Sequence, residues 1–181
     1  MFLRWRPMQP TDVRACTDIV AADPVIGPRY GSVIEDLGYA WRNLLGSAAV
    51  TTSVFEQLHQ KRPRIVGLVV SVLVSDEYFL EIKTPPLHWF GPELAKRVMG
   101  RDSPVLSDRE VRDANSGDGL NELVWESVAM PEIEQRPEFY HAMLGAFIEG
   151  HRGFFFKELI TFQSGSVERV QFTLDSGGLY W

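Results

Sequence analysis

Residues 120–150 constrain the fold of this chain more than any other stretch. Leu120, Leu123, Val124, Trp125, Val128, Ala129 and Met130 form a mostly apolar run, relieved only by Asn121, Glu122, Glu126 and Ser127. A run this apolar suits a central strand covered on both faces better than a half-exposed edge. Pro131 breaks it, and a connection through Arg136 leads to Phe139, Met143, Leu144, Phe147 and Ile148 at helical spacing. Pro137 suits the first helical turn, and Gly150 or Gly153 suits the stop. The pattern predicts a strand over 120–130 and a helix over 137–150. Ligands of sheet proteins gather where a strand's carboxyl end turns into a helix, so this junction is the first place to look for chemistry.

The rest of the chain supplies a frame for that unit. Residues 2–6 alternate apolar and basic side chains, as a short first strand would, and Thr11 or Asp12 can cap a helix carrying Val13, Cys16, Ile19 and Val20. Asp23-Pro24 stops that helix, and Gly27, Pro28 and Gly31 make a loop. A second helix follows over 32–45, with Ile34, Leu37, Ala40, Trp41, Leu44 and Leu45 on one stripe. Residues 49–58 and 64–74 read as a β-hairpin, its second arm rich in β-branched residues and therefore buried. After the central pair come a strand over 154–162, a helix over 164–175 opened by Ser166, and the start of a further strand at 179–181. That last pattern stops part-way, which suggests a longer gene product.

Residues 75–118 differ in texture and read as an insertion on the sheet frame. They contain Pro85-Pro86, a short helix over 92–99, a second short helix opened by the capping box Ser107 to Glu110, and a glycine-rich turn at 115–119. Long connections of this kind are usually functional or mobile. Tyr78, Phe79, Trp89 and Phe90 cluster in it, and they suit either a ligand pocket or partner interface, or a minor core that pins the insertion down.

At 181 residues and 45% hydrophobic content, the chain has material for one domain with a sizeable core. A net charge of −6 without a basic cluster argues against nucleic-acid contact within the chain and against an anionic membrane surface. No stretch reaches the roughly 18 apolar residues of a membrane span, and residues 1–10 lack the apolar core of a signal peptide. Cys16 has no second cysteine to pair with. The expected location is the cytoplasm. His88, His141 and His151 lack metal-ligand spacing, and no Gly-x-Ser-x-Gly, Gly-x-Gly-x-x-Gly or Walker pattern occurs. No metal is expected.

The order β-α-α-β-β-(insertion)-β-α-β-α-β resembles that of the GNAT-type N-acetyltransferases over essentially the whole chain. The matching stretches are residues 3–7 with Thr11-Asp12, residues 65–68, residues 123–131 and residues 175–180. The resemblance implies an α+β fold, a mixed sheet flanked by helices on both faces, in a single domain spanning 1–181 with the insertion at 75–118. It also implies an acetyl-coenzyme A site at Val128, Ala129, Met130 and Arg136, and candidate catalytic carboxylates at Glu122 and Glu126. In that family the loop after the fourth strand carries glycines whose N–H groups hold a pyrophosphate. Here residues 132–138 contain no glycine, Pro137 removes a donor, and Glu132, Glu134 and Glu138 stand where phosphates would arrive. The family's usual acidic tyrosine falls at Leu174.

The sequence is also similar to the amino-terminal parts of some bacterial helix-turn-helix regulators of the LuxR type, at residues 25–31, 80–94, 102–108 and 151–153. Three readings follow. The first is a GNAT-like domain that has lost coenzyme binding, expects no cofactor, and senses a small molecule or a partner in a transcriptional regulator. The second is an acyl-coenzyme A dependent transferase, using acetyl-coenzyme A. The third is a self-association module that forms a homodimer through the insertion.

Overall fold

In the computed structural model, which describes residues 2–59, 62–84 and 89–161, five strands form one sheet. They lie in sequence order: β1 (Phe2–Arg6), β2 (Val50–His59), β3 (Arg62–Val74), β4 (Leu120–Ala129) and β5 (Phe156–Thr161). The first four run antiparallel to their neighbours, and β5 lies parallel to β4. The mixed sheet with helices on both faces is the α+β arrangement that the element order implied.

Apolar residues at period two on β3, Leu68, Val70, Val72 and Val74, face the larger core. That core is closed by α1 (Val13–Ala22), α2 (Gly27–Tyr30), α3 (Ile34–Leu44), α4 (Asp76–Lys83) and α5 (Gly91–Met99). On the opposite face Phe55, Val66 and Ala129 meet Ile133 of α7 (Pro131–Glu134) and Phe139 and Ala146 of α8 (Pro137–Gly150). A small third cluster forms where Leu73, Leu120 and Phe156 meet Val111 of α6 (Asp108–Asn115). α8 can lie this close because Gly67 has no side chain: a Cβ there would be 3.1 Å from the Ala129 Cβ and 3.2 Å from the Phe139 ring. This contact sets the amino end of α8 against the end of β4.

Several local expectations need correction. Asp12 stands at the amino end of α1, but its carboxylate caps nothing in the helix. It accepts the Gln9 N–H at 2.8 Å and a bidentate pair of bonds from Arg6 at 2.6 and 3.0 Å, because an arginine fork outcompetes an exposed amide. The stretch 27–31 is a helical turn rather than a loop, anchored by the buried Tyr30. In the stretch read as an insertion, α4 went unforeseen, although Ser75 caps it by accepting from the Tyr78 N–H and Asp76 and Glu77 fill its first turn. The capping box at α6 is present as expected, with Ser107 and Glu110 exchanging bonds. On α8, Ala146 takes the inward place expected of Ile148, which is exposed. The expected helix at 164–175, the strand end at 162, the terminal strand and Leu174 lie outside the described residues, as do Pro85, Pro86 and His88.

Candidate functional site

One irregularity of β4 decides where its carboxylates go. Opposite β3, Val70 pairs with Glu126 and Ser71 with Val124, so Trp125 is an extra residue bulged out of the ladder. Glu122 and Glu126, four apart, would share a face of a regular strand. With the bulge, Glu126 shares the face of Val70 and the larger core, while Glu122 shares the opposite face with Leu73. The two candidate catalytic residues are therefore not brought together. Nor do they face solvent, the default for strand carboxylates: their exposures are 1% for Glu122 and 2% for Glu126.

Glu126 sits in a closed cluster. Tyr30 donates its hydroxyl to Glu126 Oε1, and Trp125 Nε1 donates to the Tyr30 hydroxyl and to the Gly91 carbonyl, both at 3.2 Å. Burial pushes the Glu126 carboxyl up to about 8, against the pull of the Tyr30 hydrogen bond. The same burial raises the Tyr30 phenol well above its ordinary value. Over the cluster the Arg29 guanidinium stacks on the Trp89 ring at 4.4 Å. A Cβ on Gly91 would be 2.5 Å from the Tyr30 hydroxyl and 2.6 Å from Trp89 Nε1, so the packing here is tight.

Glu122 meets His151 just past the end of α8. His151 Nε2 lies 2.5 Å from Glu122 Oε1, and Nδ1 lies 2.5 Å from the Phe147 carbonyl. The Phe147 carbonyl can only accept, so Nδ1 donates to it and Nε2 faces the Glu122 carboxyl. Burial acts to lower the His151 pKa, but the Glu122 carboxylate and the Phe147 carbonyl outweigh it and raise the group overall. This buried histidine–carboxyl contact ties β4 to the end of α8, and among the described residues Glu122 Oε2 has no hydrogen-bond partner. The other α8 histidine, His141, is exposed.

At the junction of β4 and α8, the backbone turns on itself. Pro131 and Pro137 carry no N–H. The amides of Ile133 and Glu134 donate to the Met130 carbonyl at 2.8 and 3.1 Å, and that of Arg136 to the Ile133 carbonyl at 3.0 Å. Ile133, 1% exposed, pins this helical turn to the core. Glu132, Glu134 and Glu138 are all exposed around it. Arg136 folds back so that its Nε donates to the Glu132 carbonyl at 2.8 Å. Of the four residues expected at a coenzyme site, Val128 is a core residue and Arg136 is turned onto α7, while Ala129 and Met130 line a cavity.

That cavity, about 480 Å³, opens between the carboxyl half of α1, the first residues of β3 and the end of β4. Ala15, Asp18, Ile19, Ala22 and Asp23 form one wall, Pro63, Arg64 and Ile65 the second, and Ala129, Met130 and Pro131 the third. Its size is that of a small-molecule site. None of its α1 or β3 residues was expected from the sequence to line a site, because nothing in their order marks two elements so far apart in the chain as neighbours.

This topology and placement of helices have solved counterparts. A GCN5-related N-acetyltransferase from Ralstonia eutropha JMP134 superposes with a TM-score of 0.50 at 11% identity, over 91% of this chain and 85% of that one. The fold is that of the GNAT proteins. An acetyltransferase from Trypanosoma brucei is similar over 91% of this chain and 84% of its own, with a TM-score of 0.46 and 14% identity. No family model and no curated protein matches the chain. At such identities the likeness concerns the GNAT fold alone.

Within that fold three of the four aromatics singled out in residues 75–118 are core side chains. Tyr78, Phe79 and Phe90 are 1–2% exposed in the larger core, because α4 and α5 pack their apolar faces onto the helices above the sheet. Trp89 is half-buried against the same core. The segment thus contributes side chains to the larger core. Tyr30, the residue that joins α2 to the β4 bulge, was missed. A tyrosine in a glycine- and proline-rich turn gave no sign of a partner 96 residues away.

Proposed function

We propose that this is a GNAT-fold ligand-binding domain that does not use acetyl-coenzyme A and that takes a small molecule in the cavity between α1, β3 and β4. One observation carries the reading. The amides of Ile133, Glu134 and Arg136, which would have to point outward to cradle a pyrophosphate, already donate to carbonyls of the same turn. Two prolines and three carboxylates in the same stretch oppose phosphate binding further. A sensing role in a transcriptional regulator is part of this proposal.

Titration calorimetry with acetyl-coenzyme A tests this directly. The expected affinity is no tighter than about 1 mM, roughly −4 kcal/mol. A micromolar dissociation constant would overturn the reading. It would favour a second one, an acyl-coenzyme A dependent transferase with Glu126 as its candidate catalytic carboxyl. In that case Glu126→Gln should abolish acetyl transfer to an amine while leaving coenzyme affinity unchanged.

A further inference from the structure

Resting on the reading of the cavity as a ligand site, we infer that its ligand is a zwitterion with an apolar body, a free amino acid with an aliphatic or aromatic side chain. The walls carry opposite charges. Asp18 and Asp23 stand on the α1 wall and Arg64 on the β3 wall, and Ile19, Ile65 and Met130 are among the other lining residues. Neither the Asp18 carboxylate nor the Arg64 guanidinium has a hydrogen-bond or ion-pair partner among the described residues. Asp23 is held in place, because its Oδ1 accepts the Val25 and Ile26 N–H groups at 2.8 and 2.7 Å.

An occupant of this space takes water from the sides of the charged groups that face it, and a charge that loses water is tolerated best when it is paired. A ligand with one charge would leave one wall unmatched. An ammonium toward Asp18 and Asp23 together with a carboxylate on the Arg64 fork satisfies both walls. Two carboxylates against one guanidinium leave the site net negative, which disfavours phosphates and other polyanions. The apolar floor then selects an amino acid whose side chain gains from burial.

The test is calorimetry on the full chain with four probes. L-Leucine and L-phenylalanine should bind with submillimolar dissociation constants. Isopentylamine, which lacks the carboxylate, and 4-methylpentanoate, which lacks the ammonium, should each bind at least ten-fold more weakly than leucine. Arg64→Gln should weaken leucine at least ten-fold and leave isopentylamine unchanged, and Asp18→Asn should weaken leucine and leave 4-methylpentanoate unchanged; a general structural loss would weaken every probe. The inference is overturned if neither amino acid binds, or if a singly charged analogue binds as tightly as leucine. The two readings fail differently. If Ala22→Trp, which fills the cavity, abolishes binding of a singly charged analogue that matches leucine, the ligand class falls and the ligand site stands. If acetyl-coenzyme A binds at micromolar concentration while the amino acids do not, both fall.

Discussion

The Tyr30 hydroxyl lies at the point where α2, α5 and the β4 bulge meet, giving its proton to Glu126 and receiving one from Trp125. Tyr30→Phe removes both bonds without changing the ring's volume. Trp125 Nε1 retains the Gly91 carbonyl, whereas Glu126 Oε1 loses its donor, so the expected cost is about 1–3 kcal/mol in a urea unfolding experiment. An unchanged midpoint would show that the bond contributes nothing. Gly91→Ala should cost a similar amount for a different reason: its Cβ would press on the buried Tyr30 hydroxyl and on the Trp89 ring, and neither is the free end of a flexible chain. How much of this was legible differs residue by residue. The burial of Trp125 and Val128 followed from the apolar run around them. The fate of Glu126 did not, because one bulged residue reverses the face of everything beyond it, and a bulge leaves no trace in apolar alternation this sparse.

Among the elements, the β4 and α8 pair was legible nearly to its ends, since an apolar run bounded by prolines and a helical stripe are both strong local signals. In the segment at 75–118, α5 and α6 were legible, while α4 and the packing of all three were not. Its helices are short, and their apolar residues show their role only once the first four elements have formed a surface to receive them. With Phe90 1% exposed, Phe90→Ala should lower stability by about 3–5 kcal/mol, as truncating a core aromatic does. Trp89, half-buried under Arg29, should cost about 1–2 kcal/mol when truncated. Denaturant titrations of the two variants check the ranking. If Phe90→Ala unfolds at the wild-type midpoint and changes only ligand response, α5 is a cover after all.

On the scale of the whole molecule, three buried titratable groups together set the pH at which the fold is strongest. Asp12 is held below its ordinary pKa, first by the Arg6 hydrogen bonds against the opposing effect of burial, so it stabilises the fold at neutral pH and that contribution is lost as acid protonates it below about 4. Glu126 works in the other direction. Its folded carboxyl titrates near 8 and its unfolded one near 4.5, so the folded state holds the proton more tightly and stability falls as pH rises between those values. His151, raised above its ordinary 6.5, contributes stability that is complete below that value and is lost as pH climbs through the folded value. The molecule should therefore be most stable in the mildly acidic range and weaken toward pH 8. Glu126 alone accounts for up to a few kcal/mol of that slope. Unfolding free energies from pH 4 to 9 for the wild type and Glu126→Gln test the argument. The variant, whose amide does not titrate, should show a flatter profile, and the residual decline above about pH 6.5 should disappear in Glu126→Gln/His151→Gln. A wild-type stability that instead rises from pH 5 to 8 would mean that Glu126 is ionised in the folded protein, with Arg29 close enough to compensate it.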